Sequence, residues 1–593
     1  MLQRPSGAAT MGQVIRGRLI TNRPAAGVFF DSSVTGPGTG TSSDPYKTLQ
    51  PLNALTGTGD LRGLKVNLKG GSIFAAPISL SGVSNLTIQA YGGGAQPIVS
   101  SYTAITVPWT VDPAMTNRWT TPQAGFGNGA FSCGIVMSPS ADIRQGKYVW
   151  GRGFPADMNL LYETGATGLN WVWTRAWANV SGGLQYLVTD GTDPNTMTTF
   201  RPRTSAEVIA LGLGQSNANF AISINNCANV TLSGVSFIGG RNNTLDVVSC
   251  SNFTMDTCSV YWGGSDDAGG TNARDLVSIT GSSEAVRAVN TQILNCTIHS
   301  TMGTGSQTGT LGIGHGIEVS FLTGLTVSGC FIYDVALGGI ELWNSTSDVT
   351  ITRNRIIQPG LTMIIRAPVA NTLHLNTLMT NNICMGMATY ARPGASGGGS
   401  LTSVGIAASN AADTSKYISD FNVYNNTFVM DDTQAFARTY GASGLGPGNN
   451  IASFYNNMVL LRQVNAYSAF GYENAVNLAT GTTGAASVTF TNNNAYQFGR
   501  DARNWNIGTG LVQSLAALQT AWGTIPGKTT NENAAISPAA AAVTITSYTN
   551  LATYNLTPGS GSVLIGAAAT GSPVPLVDYN GVTRARNTIG AFD

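Results

Sequence analysis

The amino-acid sequence predicts an all-β protein built as a parallel β-helix, and two observations lead to this prediction. Between about residue 220 and residue 500 one phrase recurs, in which Asn or Asp is followed by a β-branched alternation, by Cys or Asn, and by a hydrophobic pair. A single repeat could not bury its apolar face alone, so the repeats must stack on one another as rungs. Charged residues make up only 10% of the chain and hydrophobic residues 42%, which excludes disorder caused by high charge and low hydrophobicity. The repeats are NVTLSGVSF (229–237), NFTMDTCSV (252–260), TQILNCTIH (291–299), GLTVSGCFI (324–332), DVTITRNRI (348–356), TLMTNNICM (377–385), NVYNNTFVM (422–430), SFYNNMVLL (453–461) and VTFTNNNAY (488–496).

Setting the repeats in register brings one position of every rung into a single column. The chain has 7 Cys, an odd number, and three of them share this column, so we expect buried reduced thiols rather than a disulfide framework. A metal site at these thiols would need tetrahedral geometry, which one stacked column does not provide. Asn at the same position is expected to tolerate a left-handed backbone and to stack as an amide ladder. The column reads Val235, Cys258, Cys296, Cys330, Asn354, Asn382, Asn426, Asn457 and Asn493.

The rhythm of the repeats divides the chain into five segments. The shortest column spacing, 23 residues, suits a rung of three short strands, and longer spacings add loops on a common side. LKVNLKGGSIF (64–74) and NLTIQAYGGGAQPIVSS (85–101) alternate with period 2 and predict the first rungs. Residues 102–200 interrupt the rhythm and hold six of the ten Trp, which predicts a β-rich insertion. We therefore expect a short N-terminal arm (1–30), first rungs (31–101), a Trp-rich inserted subdomain (102–219), the main β-helix (220–500), and C-terminal rungs with a cap (501–593).

Charge and hydropathy exclude two classes of partner. The net charge of +1 produces no global field toward an anionic polymer, so no nucleic acid is expected as a partner. No run of 18 or more apolar residues occurs, so no membrane insertion is expected. The first residues, MLQRPSGAATMGQVIRGRLITNRPAAG, lack the apolar stretch of a secretion signal. Either such a signal has been removed, or the protein is made in a cytoplasm and leaves it by another route.

Three segments carry a resemblance to a known superfamily. GTGTSSDPYKTLQ, NLTIQAYGGGAQPIV and DYNGVTRARNTIGAFD resemble the start, an early rung and the end of right-handed parallel β-helix proteins of the pectate-lyase-like superfamily. That superfamily contains lyases, hydrolases, epimerases and non-catalytic binders, so the resemblance implies a right-handed helix but no single activity. The chain also resembles bacteriophage tailspikes. This second resemblance implies a homotrimer on the virion that binds a bacterial surface polysaccharide, capsule or lipopolysaccharide, and that attaches to a phage tail or adaptor protein through residues 1–30.

Aligning the strand that precedes each phrase predicts a column of polar side chains on one outer face. In β-strands every second side chain points outward, and neighbouring rungs lie ~4.8 Å apart. Glu318 and Glu341 should therefore be stacked, solvent-facing neighbours roughly 5 Å apart, the separation of retaining glycosidases. Their mutual repulsion should raise one pKa, which suits a general acid. Asp246 should lie roughly 9–10 Å from Glu318, at the upper limit of the inverting range. The aligned strands AISIN (221–225), TLDVV (244–248), LVSIT (276–280), GIEVS (316–320) and GIELW (339–343) give the column Ser223, Asp246, Ser278, Glu318 and Glu341.

Further candidates surround this column. His315 lies three residues before Glu318, and the Gly-rich loop GGSDDAGGTNARD contributes Asp266, Asp267 and Asp275. The histidine could instead be an ordinary hydrogen-bonded residue and the loop a flexible turn. The loop lacks the spacing of an EF-hand, so neither a metal nor a cofactor is expected. Aromatic and cationic side chains that could contact a sugar are Tyr261, Trp262, Tyr333, Trp343 and Arg274.

The resulting expectation is a tailspike-like polysaccharide depolymerase that hydrolyses glycosidic bonds. Glu318 and Glu341 are the expected catalytic pair, with Asp246, Asp267, Asp275 and His315 as further candidates. Two other hypotheses stay open. The chain could be a non-catalytic glycan-binding spike or adhesin, or it could be a secreted bacterial polysaccharide lyase or epimerase. A lyase would need a cationic or imidazole base, for which Arg274, Arg353 and Arg366 are available.

Overall fold

A computed structural model gives the architecture of the chain for most of the repeat region and for parts of the remainder. Some predictions made from the sequence concern residues that the structure does not describe, including residues 1–26, Asp267, Arg274 and Asn493. The structure describes residues 27–113, 117–122, 135–151, 176–179, 184–189, 191–203, 205–211, 220–240, 242–263, 275–301, 314–333, 335, 338–357, 361–367, 371–385, 404–408, 417–431, 437–440, 452–462, 476–477, 488–490, 495–498, 505–506, 511–512, 520, 564–568, 575–584 and 588–591.

The first rungs begin slightly before the predicted boundary at residue 31. Strand β1 pairs in parallel with β2, with Val28 opposite Val66, and the side chains of Val28 and Phe30 are buried in the core. Residues 28–30 therefore belong to the β-helix rather than to an N-terminal arm. The elements of this part are β1 (Val28–Phe30), α1 (Gln50–Asn53), β2 (Gly59–Lys69), β3 (Ile73–Phe74), β4 (Ile78–Ser81), β5 (Val83–Tyr91) and β6 (Ile98–Ser100).

The Trp-rich segment forms a separate eight-stranded sheet that packs on the side of the β-helix. Its strand order is β7-β14-β10-β11-β12-β13-β9-β8, and only β11 and β12 pair in parallel. Tyr102, Val136 and Ile143 of this segment pack against Ile238 and Trp262 of the helix. The elements are β7 (Tyr102–Ala104), β8 (Thr110–Val111), β9 (Arg118–Pro122), β10 (Ile135–Ser138), the 3-10 turn Ile143–Gln145, β11 (Lys147–Gly151), β12 (Ala176–Asn179), β13 (Leu184–Val188), the 3-10 turn Pro194–Thr196, β14 (Thr198–Pro202) and α2 (Ser205–Ala210).

The remaining strands complete the rungs. They are β15 (Ile222–Asn225), β16 (Ala228–Ser233), β17 (Ser236–Ile238), β18 (Leu245–Val248), β19 (Ser251–Asp256), β20 (Ser259–Tyr261), β21 (Val277–Thr280), β22 (Ala288–Leu294), β23 (Thr297–His299), β24 (Ile317–Ser320), β25 (Leu322–Ser328), β26 (Phe331–Tyr333), β27 (Gly338–Leu342), β28 (Thr346–Thr352), β29 (Arg355–Ile357), β30 (Leu361–Ala367), β31 (Leu373–Thr380), β32 (Ile383–Met385), β33 (Val404–Ala408), β34 (Tyr417–Tyr424), β35 (Thr427–Asp431), β36 (Ala437–Tyr440), β37 (Ala452–Tyr455), β38 (Met458–Arg462), β39 (Val476–Asn477), β40 (Val488–Phe490), β41 (Ala495–Phe498), β42 (Trp505–Asn506) and β43 (Leu511–Val512).

The rungs stack into three sheets in which the strands pair in parallel, except that β43 pairs antiparallel with β42 at the end of one sheet; this confirms the predicted right-handed parallel β-helix. Sheet 1 has the order β1-β2-β5-β16-β19-β22-β25-β28-β31-β34-β37-β40. Sheet 2 has the order β3-β6-β17-β20-β23-β26-β29-β32-β35-β38-β41, and sheet 3 has the order β4-β15-β18-β21-β24-β27-β30-β33-β36-β39-β42-β43. Each rung passes from sheet 3 to sheet 1 to sheet 2, with the right-handed crossover that parallel strands adopt. Among the described residues, no helix is long and apolar enough to cross a membrane.

The column of Cys and Asn lies inside the helix, as the repeats predict. Cys258, Cys296 and Cys330 are buried free thiols. The amide column that we call the asparagine ladder (Asn354, Asn382, Asn426 and Asn457) is also buried. Its backbone N–H groups donate to the side-chain oxygen of the next rung, from Asn354 to Asn382 at 2.9 Å, from Asn382 to Asn426 at 2.8 Å, and from Asn426 to Asn457 at 3.1 Å.

The left-handed backbone of this corner lies one residue earlier than expected. Arg353, Asn381, Asn425 and Asn456 have φ between 53° and 56°. The ladder residues that follow them are not left-handed. The chain therefore turns at one residue and uses the next for the amide ladder, so the two properties that the sequence assigned to a single Asn belong to two neighbours.

The described C-terminal residues pack along sheet 2. Leu564, Ala568, Ile589 and Ala591 form one buried cluster with side chains of β29, β32, β35 and β38. The Asn425 side chain donates to the Thr588 carbonyl at 2.9 Å, which ties this segment to a corner of the rungs. These residues thus cover the side of the helix along sheet 2. At the start of the same segment β42 pairs in parallel with β39, so a C-terminal rung continues sheet 3 there, as predicted.

Candidate active site

The predicted polar column is present on the outer face of sheet 3. Ser223 pairs with Asp246, Asp246 with Ser278, Ser278 with Glu318, and Glu318 with Glu341. The residues on either side of each member point inward and are buried, as the strand alternation requires. The sequence therefore predicted the register of the column correctly.

A second column runs beside the first, at the point where the chain enters sheet 3. Asn243, Asp275 and His315 each lie two residues before the first strand residue that faces its counterpart on the next rung. The Asp275 N–H donates to Asn243 Oδ1 at 3.0 Å, and the His315 N–H donates to Asp275 Oδ1 at 2.9 Å. We call these three residues the entry ladder, because each side-chain oxygen accepts the backbone N–H of the following rung.

The two columns meet at His315, whose imidazole is completely buried between carboxylates. His315 Nδ1 lies 2.8 Å from Asp275 Oδ1, and His315 Nε2 lies 3.1 Å from Glu341 Oε2. Glu318 Oε2 is 4.0 Å from His315 Nδ1. Both ring nitrogens can donate only when the ring is protonated, so a proton held on His315 would offset part of the negative charge of the three acids.

Glu341 is not the solvent-facing residue that the sequence predicts. It occupies the predicted outward position, but its side chain is 0% exposed. Glu318, one rung earlier, keeps 17% of its side chain exposed. Strand alternation determines the face of the sheet from which a side chain projects. It does not determine whether other residues cover that face. A sugar can therefore reach Glu318 but not Glu341 in this conformation.

Asp246 is half-buried, and Asn243, which lies just before the aligned strand, holds its carboxylate. Asn243 Nδ2 donates to Asp246 Oδ1 at 3.0 Å. Since Asn243 Oδ1 also accepts from Asp275, one amide connects the strand column to the entry ladder. Counting back two residues from each strand of sheet 3 would have identified Asn243, Asp275 and His315 as equivalent positions.

Three of the four predicted aromatic contacts lie on the wrong sheet. Tyr261 and Tyr333 belong to sheet 2, and Trp262 follows Tyr261 with only 7% of its surface exposed. The Tyr261 and His299 rings stack at 4.7 Å, and the His299 and Tyr333 rings stack at 4.5 Å. One face of Tyr261 and one face of Tyr333 are thus covered by His299. Trp343 alone of the four follows a strand of sheet 3, two residues from Glu341, and it is partly exposed.

The aromatic stack also perturbs the groups inside it. Burial lowers the pKa of His299 to about 3, so this imidazole is neutral at physiological pH. Burial likewise raises the pKa of Tyr261 above its usual range. Both shifts disfavour charge on sheet 2, whereas the acids and the histidine of the candidate site all lie on sheet 3.

The same cluster has donor atoms that a cation could use. One ligand atom from each of Asp275, His315 and Glu318 lies within 4.8 Å of the others. Carboxylate oxygens and an imidazole nitrogen suit several divalent metals. In the present geometry Asp275 Oδ1 accepts two hydrogen bonds from His315, so a cation would have to displace the one from Nδ1.

Comparisons with known proteins concern the fold. No protein-family model matches the chain, and neither does any curated protein. The solved complex of XylC with xylose is 11% identical, with a TM-score of 0.47 over 95% of this chain and 98% of that one. Pectate lyase Pel9A is 12% identical, with a TM-score of 0.42 over 97% and 99% of the two chains. The Gp54 tailspike of Acinetobacter baumannii bacteriophage AP22, solved with a capsular saccharide, is 11% identical, with a TM-score of 0.23 over 77% and 82%.

Proposed function

We propose that this β-helix binds a polysaccharide and hydrolyses its glycosidic bonds at the polar column of sheet 3. The observation that carries the proposal is the placement of two accessible carboxyl groups, Asp246 and Glu318, on one outward column directly beside a buried Asp275–His315–Glu341 cluster. Burying like charges on consecutive rungs is costly for the fold. Such a cost is typical of residues retained for chemistry.

The exposure of the acids favours one pair over the other. Glu318 and Glu341 are adjacent, at about the separation of a retaining pair, but Glu341 is enclosed. Asp246 and Glu318 are two rungs apart, which is about 10 Å between strands. Because the two side chains can lean toward each other over Ser278, this spacing fits an inverting pair with room for a water molecule.

The proposed reaction uses each acid once. Glu318 donates its proton to the glycosidic oxygen as the bond between that oxygen and the anomeric carbon breaks. Asp246 accepts a proton from a water molecule, whose oxygen forms the new bond to the anomeric carbon. The adjacent Glu341 carboxylate disfavours a second negative charge beside it, which favours Glu318 as the proton donor. His315 and Asp275 hold the cluster below the substrate.

The charge of the site favours hydrolysis over β-elimination. Eliminating a uronate requires a base together with a cation that neutralises the sugar carboxylate. The described site instead presents Asp275, Glu318 and Glu341 around one histidine, with Asp246 on the same column. Without a bound cation, such a set repels a polyuronate and accepts a neutral glycan, since like charges brought together cost several kcal/mol, roughly, in a partly buried site.

Reducing-end release tests the proposed reaction. The purified protein is incubated with capsule and lipopolysaccharide preparations, and new reducing ends are measured together with ultraviolet absorbance of unsaturated uronates. We expect reducing ends without the absorbance change. Glu318→Gln and Asp246→Asn should each lower the rate by about 10²- to 10⁴-fold, because each removes a proton-transfer group.

Glu284→Gln is the matched control for these variants. Glu284 is an exposed acid, paired with Arg287, in the loop after β21 and away from the column. The Glu284→Gln variant should cleave the polysaccharide at the wild-type rate. Full activity of Glu318→Gln and Asp246→Asn would refute the assignment. Glycan binding without new reducing ends would instead support a binding-only spike, and unsaturated products would support a lyase.

The finer role that we propose is that of a homotrimeric phage tailspike on the virion, attached to a tail or adaptor protein through the part of the predicted arm that precedes β1, residues 1–27. The sequence resemblance to tailspikes supports this part of the proposal. Mass measurement in solution should give three chains per particle, and deleting residues 1–26 should leave cleavage intact while abolishing incorporation into virions. A monomeric protein would contradict the tailspike assignment but not the hydrolase.

A further inference from the structure

Asn243 joins the entry ladder to the strand column at the rung of Asp246. Its Oδ1 accepts the N–H of Asp275 at 3.0 Å, which fixes the orientation of the amide. The amide nitrogen must then point the other way, where it donates to Asp246 Oδ1 at 3.0 Å. Both bonds use the amide at once, one to the backbone of the next rung and one to a carboxylate of its own rung.

We propose that Asn243 is the positioning residue for the Asp246 carboxylate. The proposal rests on the hydrolytic function proposed above, in which Asp246 is the base. On each adjacent rung, the outward residue that pairs with Asp246 is a serine. The Asn243 amide holds one carboxylate oxygen, so that rotation of the carboxylate about its side-chain bonds is restricted.

Asn243 also connects the two acids of the proposed pair. Asp246 is bonded to Asn243, Asn243 to the backbone of Asp275, and the Asp275 carboxylate to His315, which lies 4.0 Å from Glu318. This chain of contacts crosses from the rung of the base to the rung of the acid. It fixes the distance between them through polar groups that sit beside the sheet rather than in its hydrophobic core.

The residue type matches this role. An amide has a donor and an acceptor at the two ends of one planar group. An aspartate at the same position would keep the acceptor for the Asp275 N–H, but it would replace the donor with a second negative oxygen about 3 Å from Asp246. A nearby like charge disfavours the ionised form of a carboxyl group.

Asn243→Asp is therefore the decisive variant, assayed on the polysaccharide that the wild-type protein cleaves. We expect kcat to fall by about 10- to 100-fold through misplacement of the base, with KM changed by less than about threefold. The acidic limb of the kcat profile should move to higher pH, because Asp246 must lose its proton beside a new carboxylate. Asn243→Ala, which adds no charge, should also move the limb to higher pH because Asp246 loses a donor to its ionised form, whereas a side chain with only a structural role would leave the limb in place in that variant.

Asn252→Asp is the matched control. Asn252 lies on the same rung, at the start of β19, and its Nδ2 donates to Asn229 Oδ1 at 2.8 Å. It should leave kcat and the pH profile unchanged. An unshifted acidic limb in Asn243→Asp, or an equal shift in Asn252→Asp, would overturn the positioning role.

Two further measurements separate this inference from the proposed function. Asp246→Asn with full activity would refute the hydrolytic assignment, whereas an inactive Asp246→Asn beside a wild-type-like Asn243→Asp would refute only the role of Asn243. Hydrogen exchange provides a readout without substrate. The Asp275 amide should exchange at least about tenfold faster in Asn243→Ala but not in Asn243→Asp, since only the first loses the acceptor. Equal exchange in both variants would contradict the ladder on which the role depends.

Discussion

The asparagine ladder and the entry ladder use the same kind of hydrogen bond, in opposite directions along the helix, and they differ in charge. In both, a side-chain oxygen accepts a backbone N–H from a neighbouring rung. The asparagine ladder lies inside the helix and consists of neutral amides. The entry ladder lies at the mouth of sheet 3, and its members change from amide to carboxylate to imidazole along three rungs. Stacking alone therefore does not distinguish a structural column from a functional one.

The difference lies in how completely each ladder is compensated. Each amide of the asparagine ladder both donates and accepts; Asn382 Nδ2, for example, donates to Asn426 Oδ1 and to the Ile351 carbonyl. The entry ladder instead brings Asp275, Glu318 and Glu341 around one histidine. Buried charge of this kind is weak evidence for stability. We infer that the first ladder stabilises the fold, and that the second is tolerated at a cost because of what it does.

The largest effect is expected from breaking the asparagine ladder. Asn382→Ala removes the acceptor of both the Asn354 N–H and the Asn354 side-chain amide. It also removes the donor to Asn426 Oδ1. Because several buried groups lose their partners together, the free energy of unfolding should fall by about 3–5 kcal/mol. Denaturant titration measures this change, or the unfolding rate does where refolding is incomplete.

Gln292→Ala is the control for this prediction. Gln292 is an exposed residue of β22 on sheet 1. Its replacement should change stability by no more than about 0.5 kcal/mol. If Asn382→Ala were as stable as Gln292→Ala, the amide ladder would be incidental to the fold, and the contrast between the two ladders would disappear.

The sequence could predict what repetition determines. The register of Asp246, Ser278, Glu318 and Glu341 follows from a strand period of two and from the recurrence of one phrase on every rung. The buried thiols follow from the same alignment, because Cys330 and its equivalents share a position with core residues. Each of these features requires only that equivalent positions on consecutive rungs lie above one another.

The sequence could not predict what depends on residues outside the repeat. The burial of Glu341 depends on what covers sheet 3, and strand alternation does not contain that information. Tyr261 and Tyr333 directly follow the repeated phrase and lie on sheet 2, which the alignment of the sheet 3 strands does not include. Asp275 and His315 are among the candidates predicted from the sequence, but aligning the strands alone does not place them in one column with Asn243. Asn243 stands just outside the aligned strands, and the loops between successive rungs differ in length.

The next largest effect is expected at His299, which stacks between Tyr261 and Tyr333 on sheet 2. This aromatic stack contains no carboxylate. Burial lowers the pKa of His299 to about 3, against a usual value of 6.5. Between these values the unfolded chain binds a proton that the folded protein does not. The free energy of unfolding should therefore be unaffected by His299 above pH 6.5 and should fall by about 1.4 kcal/mol per pH unit below it.

His299→Phe isolates this contribution. Phenylalanine preserves a ring between Tyr261 and Tyr333 but has no proton to bind. The difference in stability between the wild-type protein and the variant should change in favour of the variant as the pH is lowered from 6.5 to 4. Parallel stability curves over that range would mean that His299 is protonated in the folded protein, and that the stack accommodates charge as the site on sheet 3 does.

The smallest effect, and the one that separates the two ladders most directly, is expected at Glu318. Replacing it by Gln preserves shape and removes the free-energy cost of keeping this acid beside two others at pH 7, whether the folded protein bears that cost as charge repulsion or as uptake of a proton. Stability at pH 7 should therefore rise by about 0.5–1 kcal/mol, even though cleavage is lost.

Glu284→Gln removes an acid that is paired with Arg287 at the surface, so stability should stay equal or fall by at most about 0.5 kcal/mol. Denaturation of both variants beside the wild-type protein gives the comparison. A loss of more than about 1 kcal/mol in Glu318→Gln would mean that the acid stabilises the rungs, as an amide of the asparagine ladder does. A gain in stability together with a loss of cleavage is expected only where the fold bears a cost for its chemistry.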